Sequence, residues 1–188
     1  MMNNLHNDSN YKKVEASKIL FSELMLPSNS NFNGKIHGGY ILNLMDQIAF
    51  ACASKHSKTY CVTASVDTVD FLNPIEIGEL VTMKASINYV GNTSMVVGIR
   101  VESENITTGV IKHCNSSYFT MVAKDNNGKS VEVPGLILGS KNEIRRFLKC
   151  IKRNEEKELR RREFEKKEFS PNDYLHILEA YKVKVDLL

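Results

Sequence analysis

The stretch that decides the fold runs from Gly38 to Val66 and reads GGYILNLMDQIAFACASKHSKTYCVTASV. Between Gly38 and about Lys55 the apolar side chains recur at helical spacing, and the main stripe comprises Ile41, Leu44, Met45, Ile48 and Cys52. From Val62 onwards apolar and polar residues alternate, as in a strand with one buried face. The stretch therefore predicts a helix that is apolar on most sides, and hence buried, followed directly by a strand.

Further strands follow at regular intervals. The alternation predicts strands over about 62–73, 81–89, 95–101 and 110–122, and the first of them carries a bulge where the apolar set moves to Val69 and Phe71. Residues 13–26 are compatible with either a first strand or a short amphipathic segment. Strands do not alternate with helices, which argues against a doubly wound parallel sheet. The economical architecture is α+β, with an antiparallel sheet curled around the single helix.

The ends of the chain differ from its middle. We expect a flexible N-terminal tail over residues 1–12, a folded domain over 13–138 and a charged helical extension over 139–188. Residues 141–168 lack Gly and Pro and hold 12 basic and 7 acidic side chains, which predicts a helix of roughly 40 Å. A second, short helix is expected over about 174–183. The intermixed glutamates favour a solvated helix face over a nucleic-acid footprint.

Composition narrows the classes of protein. The 188 residues are 42% hydrophobic and contain no run of about 18 apolar residues, so no membrane-spanning helix is expected. The four cysteines form no C-x-x-C pair, and no metal-binding, phosphate-loop, dinucleotide or G-x-S-x-G motif is present. The polar first ten residues do not look like a secretory signal. Free thiols without an export signal predict a cytoplasmic protein.

Chemistry is most plausible where the loop over residues 31–37 meets the helix. Asp46 is the only acid on the predicted helix, and it is either a general base or nucleophile or a solvent-facing residue of the polar arc. Gly38 and Gly39 leave the amides of the helix N-terminus open to an oxyanion, unless they serve only close packing. Asn31 either positions water or caps the loop. His37 is more simply a residue that packs at the helix start than a base.

Five motifs in order carry a resemblance. They are Asn31-x-Asn33-Gly34-x-Ile36-His37-Gly38-Gly39, Leu44-Met45-Asp46, Val62-Thr63-Ala64-Ser65-Val66-Asp67, Phe71-x-x-Pro74-Ile75-x-x-Gly78 and Gly91-x-Thr93-Ser94-Met95. In this order and spacing the chain resembles the hotdog-fold acyl-CoA thioesterases, especially the branch of bacterial and brain-type cytosolic acyl-CoA hydrolases. The resemblance covers about residues 24–138 and extends to the basic helix that follows.

The resemblance implies a single hotdog fold and assigns roles by motif position. Asp46 would be the general base or nucleophile, Asn31 its partner from the facing subunit, and the amide of Gly39 the oxyanion donor. Gly38 and His37 would contact the substrate, and the CoA path would follow a turn whose candidate binding residues are Gly91, Thr93 and Ser94. The acyl chain would lie along Met45 and Phe50. No metal and no cofactor are implied, since coenzyme A is part of substrate and product.

The implied active unit is a homodimer, and three such dimers would form a homohexamer, a trimer of dimers. The implied reaction hydrolyses fatty acyl-CoA to free acid and CoA. Two alternatives stay open. A non-catalytic acyl-CoA sensor would use the basic segment on nucleic acid, although the presence of both Asp46 and Asn31 speaks against it. A hydratase or dehydratase would need a histidine partner for Asp46, for which His37 is the candidate.

Overall fold

The computed structural model describes residues 10–165, 171–178 and 180–186. Most of the expected N-terminal tail, residues 166–168 of the long helix and residue 179 of the short one lie outside the described residues. The described residues up to Cys150 form one compact unit, and those from Ile151 onwards form a second. The first turns of the long helix thus belong to the first unit.

The central helix, α1, spans Gly38–Ser57 and confirms the predicted helix. His37 is its N-cap residue, and Lys58 ends it in the left-handed conformation with φ of 64°. The whole predicted stripe is buried. Residues at positions i, i+3, i+4 and i+7 lie on one face of a helix, and through this apolar face the helix packs against the sheet.

In the described part of the chain seven strands accompany it: β1 (Tyr11–Lys13), β2 (Ile19–Leu24), β3 (Tyr60–Val66), β4 (Leu80–Val90), β5 (Ser94–Asn105), β6 (Val110–Lys124) and β7 (Gly135–Ile137). Five of them form one antiparallel sheet in the order β2-β4-β5-β6-β3. The other two, β1 and β7, pair in parallel as a small separate sheet. The predicted α+β architecture, an antiparallel sheet wrapped around one helix, is therefore confirmed.

The structure differs from the predicted strands in two places. Segment 13–26 contributes the edge strand β2, so the large sheet has five strands. Strand β3 ends at Val66 instead of near residue 73, and its bulge lies between Thr63 and Ser65. Beyond Val66 the chain leaves the ladder and is held to β6 by single bonds, from the Asp67 amide to the Tyr118 carbonyl and from the Leu72 amide to the Cys114 carbonyl, both 2.9 Å. The freed segment 67–74 can then cross over the start of α1.

The core lies between α1 and one face of the sheet. Met45 of α1, Met83 of β4 and Met121 of β6 are each fully buried in it. A narrow arc of α1 is left uncovered, and it contains Asp46 and Phe50, whose exposed fraction is 39%. The helix is therefore buried as predicted except along this arc. One chain supplies a sheet for one side of the helix only.

The basic segment is helical, as predicted. Helix α2 spans Lys141–Glu165 and α3 spans Pro171–Leu178. The first turns of α2 pack on the domain, with the Phe147 and Tyr89 ring centroids 5.2 Å apart and Cys150 buried. Among the described helices, none is long and apolar enough to cross a bilayer.

Near the end of α1, His56 is fully buried and joins distant parts of the chain. Its Nε2 lies 2.9 Å from the Pro134 carbonyl oxygen, and its Nδ1 lies 3.4 Å from the Ser17 hydroxyl. Burial lowers the pKa of this imidazole below 6.5, and the positive charge of Lys12 lowers it further, against the opposing effect of the Pro134 bond.

This burial makes the stability of the fold depend on pH. The unfolded chain takes up a proton at His56 below about pH 6.5, whereas the folded chain does so only at lower pH, so stability falls as the pH falls through that window. We expect the free energy of unfolding of the native protein to decline there by up to about 1.4 kcal/mol per pH unit more than that of His56→Gln. Urea unfolding at a series of pH values measures both; parallel curves would contradict the assignment.

Candidate active site

Asp46 lies on the exposed arc of α1, beside the edge strand β3. Its Oδ1 accepts a hydrogen bond of 2.6 Å from Oγ1 of Thr63. The two residues line a cleft of 680 Å³ between α1 and β3. A carboxylate held on one oxygen by a hydroxyl keeps its other oxygen in a defined direction, which is what a base acting on a bound water needs.

The apolar part of the cleft is aromatic. Phe50 of α1 and Tyr60 of β3 face each other with ring centroids 5.6 Å apart, and both line the cleft with Asp46. Met45, by contrast, is buried in the core, and it is not among the residues that line the cleft. Of the two residues predicted along the acyl chain, the structure therefore leaves Phe50 available and turns Met45 inward.

At the N-terminus of α1, His37 and the two glycines lie together. The Gly39 amide donates to Nδ1 of His37 over 2.9 Å, so the histidine ring caps the helix. Among the described residues, the Gly38 amide has no acceptor. The Phe71 ring covers Gly38 so closely that a Cβ there would lie 3.1 Å from it. His37 thus caps the start of the helix, and its ring occupies the Gly39 amide.

Asn31 organises the loop that leads into α1. Its side-chain oxygen accepts from the amides of Asn33 and Lys35, over 2.9 and 3.1 Å. The amide nitrogen of the side chain has no acceptor among the described residues and stays available as a donor. The two roles expected for Asn31 are therefore compatible. Its side-chain oxygen caps the loop, while its side-chain nitrogen can donate to a water or a ligand.

The helix itself separates the glycine amides from the carboxylate. Seven residues at 1.5 Å of rise put Gly39 and Asp46 on the same face but about 10 Å apart along the axis. A thioester carbon has to lie about 3 Å from its attacking group, with its oxygen at a similar distance from the donor. Asp46 and Gly39 of one chain cannot meet at one carbonyl, although the sequence puts them on one element.

The hairpin between β4 and β5 lies farther along the sheet. Ser94 pairs with Val122, which in turn pairs with Val62, so the hairpin reaches the level of the cleft two strands away, or about 10 Å. Gly91 packs against Ser94, and its amide donates to the Ser94 carbonyl. Neither Gly91, Thr93 nor Ser94 lines the cleft at Asp46.

Among the described residues, Asp46 has no histidine partner, and no group of three His, Cys, Asp or Glu side chains could hold a metal ion. Three residues to which the sequence pattern assigns no role also lie at the candidate site: Thr63 bonds Asp46, Tyr60 lines the cleft and Phe71 covers Gly38. The only signal for Thr63 was a hydroxyl in the strand directly after the helix, since no spacing rule links a helix residue to a strand residue.

Comparison with known proteins places the chain. The family model of the thioesterase superfamily matches residues 33–110. The chain is 47% identical to the protein VdlD of Helicobacter pylori over 150 residues, which are 80% of this chain and 86% of that protein. It also matches the structure of an apo-hexameric acyl-CoA thioesterase, with 35% identity, a TM-score of 0.78 and coverage of 80% and 97%. The chain belongs to the thioesterase superfamily and has its hotdog fold.

A second similar structure bears on the site residues. The acyl-CoA hydrolase of Staphylococcus aureus, solved with butyryl coenzyme A, coenzyme A and coenzyme A disulfide, is 30% identical, with a TM-score of 0.76 and coverage of 88% and 99%. Three further structures of that hydrolase carry alanine in place of an asparagine, an aspartate and a threonine. The intervals between those positions, 15 and 17 residues, equal those separating Asn31, Asp46 and Thr63.

The hydrogen bond between Thr63 and Asp46 leads to a prediction. A hydrogen bond to a charged group contributes about 1.5–3 kcal/mol, so we expect Thr63→Val to lower kcat for thioester hydrolysis about 10- to 100-fold with little change in KM. Thr63→Ser keeps the hydroxyl and should retain most of kcat. Thiol release followed with a chromogenic thiol reagent measures both variants. Equal loss in the serine and valine variants would show that the methyl group, and not the hydrogen bond, matters.

Proposed function

We propose that this protein hydrolyses acyl-CoA thioesters to the free acid and coenzyme A, with Asp46 as the general base. The observation that carries the proposal is the Asp46 carboxylate, fixed by Thr63 over 2.6 Å at the mouth of a partly aromatic cleft. Membership of the thioesterase superfamily supports the reaction class, and the similar hydrolase solved with butyryl coenzyme A supports the substrate class.

The active site is shared between two copies of the chain. Asp46 and the Gly38–Gly39 amides of one chain are about 10 Å apart along α1, too far to act on one carbonyl. An antiparallel, two-fold pairing of two α1 helices brings the glycine end of one against the carboxylate of the other. The uncovered arc of α1 and the free outer edge of β3 lie side by side, and they are the surfaces that such a pairing would cover.

The chemistry then needs only these groups and water. Asp46 takes a proton from water through its second carboxylate oxygen while the water oxygen bonds to the thioester carbon. The carbonyl oxygen becomes an oxyanion, which the Gly38 and Gly39 amides of the facing chain stabilise once the His37 ring has turned. The tetrahedral intermediate collapses, the carbon–sulfur bond breaks, and the CoA thiolate leaves with the proton from Asp46. Asn31 of the facing chain donates to the water or to the carboxylate.

The same arrangement suggests where the substrate lies. The acyl group packs against Phe50 and Tyr60, an aromatic pair that lines the cleft. The pantetheine and nucleotide portions follow the β4–β5 hairpin with Gly91, Thr93 and Ser94, which ends about 10 Å from β3. CoA enters as part of the substrate and leaves as product, and the reaction as written calls for no cofactor and no metal.

The dimer is the active unit, and three dimers form a hexamer. A structure that this chain matches at a TM-score of 0.78 is described as hexameric, which supports six copies. We place the protein in the cytoplasm because Cys52, Cys61 and Cys114 are buried thiols that form no disulfide in the described part of the chain, as expected in a reducing compartment.

Two inactive variants test the shared site. Asp46→Asn removes the base, and Asn31→Asp keeps the loop-closing oxygen but removes the donor nitrogen. We expect each alone to lose nearly all thiol release from acyl-CoA. After the two are mixed and allowed to exchange subunits, half of the dimers carry one intact site of two, so about a quarter of the native rate should return. Glu132→Gln, which changes an exposed carboxylate elsewhere, should leave the rate unchanged.

Two results would contradict the proposal. Full turnover by Asp46→Asn would show that Asp46 is not the general base, and the proposed mechanism would be wrong. A mixture that stays inactive although native mass spectrometry shows mixed dimers would place Asp46 and Asn31 in the same site of one chain.

The general-base step makes a separate isotope prediction. In a single turnover in water enriched in oxygen-18, we expect the label in the fatty acid and none in Asp46, because the carboxylate never bonds to carbon. Mass spectrometry of the acid and of the peptide that contains Asp46 measures both. Label in that aspartate would instead indicate direct attack and a mixed anhydride.

A further inference from the structure

A second cavity lies on the face of the sheet that points away from α1. It has a volume of 580 Å³ and is lined by Lys84, Ser86 and Asn88 of β4, by residues of β2, β5 and β6, and by the first turns of α2. Along β4, these three residues alternate with Met83 and Ile87, which face the core. The sheet therefore separates this cavity from the Asp46 cleft, and the two share no lining residue.

The walls of the cavity carry an excess of positive charge. Six cations line it, against the single carboxylate of Glu15, and they are Lys18, Lys84, Arg100, Arg145, Arg146 and Lys149. Three of the six are already paired, because Lys18 bonds Glu15 and lies 3.8 Å from Glu143, while Glu102 bonds both Lys84 and Arg100.

The other three cations have no carboxylate partner among the described residues. Arg145 contacts only the amide oxygen of Asn142, at 3.4 Å, and Arg146 contacts the Ser86 hydroxyl, also at 3.4 Å. Lys149 has no recorded partner in the described part of the chain. The three lie within five residues of α2, on the wall opposite the sheet, so their charge is concentrated on one side of the cavity.

The floor of the cavity holds a polar pair that the sheet buries. Ser86 and Asn88 are 6% and 7% exposed, and the Ser86 hydroxyl donates to Oδ1 of Asn88 over 3.0 Å. The Asn88 side chain lies over Gly98, where a Cβ would come within 2.0 Å of its nitrogen. That nitrogen has no acceptor among the described residues, so it remains a donor for a bound group.

We propose that this cavity binds a phosphorylated nucleotide. Guanidinium and ammonium groups match phosphate oxygens, which would accept from Arg145, Arg146, Lys149 and the Asn88 amide. Leu20, which pairs with Lys84 on this face of the sheet and is 71% exposed, supplies an apolar surface in the same cavity for a base or ribose. The volume of the cavity is typical of a site for a small ligand. Because the sheet and the first turns of α2 enclose it on two sides, it fits a mononucleotide better than a duplex.

Two sources could supply this chemistry, a free nucleotide such as ATP or the nucleotide end of coenzyme A. Isothermal titration calorimetry with ATP, inorganic triphosphate and CoA on the full-length assembly distinguishes them. The test variant is Arg146→Ala/Lys149→Ala. The matched control is Arg161→Ala/Arg162→Ala, which removes two charges from the same helix, where they pair with Glu165 and Glu158.

We expect ATP to bind the native protein and the control equally, at one site per chain, and to bind the test variant at least about tenfold more weakly. Inorganic triphosphate should show the same ranking with lower affinity, because it lacks the base. If CoA shows the larger loss in the test variant, the source is the substrate itself. Lys149→Glu, a single reversal on an exposed residue, provides a second variant if the double one does not fold.

Three outcomes would overturn the proposal: no heat with either ATP or CoA, equal affinity of the test and control variants for both, or binding of RNA without binding of any mononucleotide. Thiol release at saturating acyl-CoA is measured on the same samples and should be unchanged in the test variant. Because binding and hydrolysis are read separately, loss of the proposed function and loss of this site cannot be confused.

Discussion

The structure depends on the burial of one apolar stripe of α1 against one face of the antiparallel sheet. Ile41, Met45, Ile48 and Cys52 are at most 5% exposed, and the methionines of β4, β5 and β6 close over them. Burial of each such side chain contributes about 1.5–3 kcal/mol, so the stripe orients the helix strongly. Because only one face of the helix is buried in this way, the arc with Asp46 lies outside the core, beside the edge strand β3.

That single constraint has two consequences for function. The uncovered arc and the edge strand β3 leave an aromatic cleft beside a carboxylate, a surface that a second copy can complete. The helix start, meanwhile, offers glycine amides about 10 Å away along the same axis. A pair of such helices running in opposite directions would supply both halves of a thioester-cleaving site twice, which is economical for a chain that contains a single copy of the domain.

The face of the sheet that points away from α1 is polar and lies beside basic residues. There, Arg145, Arg146 and Lys149 in the first turns of α2 line a cavity whose floor on the sheet is polar. The excess of positive charge was visible in the sequence as 12 basic against 7 acidic residues over 141–168. The glutamates interspersed among these basic residues favour an ordinary solvated helix. What gives the first turns a different environment is the contact of Phe147 with Tyr89 and the burial of Cys150, both long-range contacts.

Residue spacing alone predicted α1, because five apolar positions at helical period share one face only if the segment is a helix. It predicted β4 to β6 for the same reason, and the ordered motifs predicted the family. It could not predict that β3 stops at Val66, because the next residues, Thr68 to Leu72, alternate acceptably, and only the single bonds to β6 show where the ladder is abandoned.

The sequence by itself therefore determined the period of each element, the family and the candidates Asp46, Asn31, Gly38 and Gly39. Only the tertiary structure decided that Thr63 bonds Asp46, that the His37 ring occupies the Gly39 amide, and that Met45 is turned away from the cleft. The reason is physical: periodicity reports which face of an element is apolar, whereas a hydrogen bond between elements depends on how those faces are rotated and spaced against each other, and that follows from packing many side chains at once.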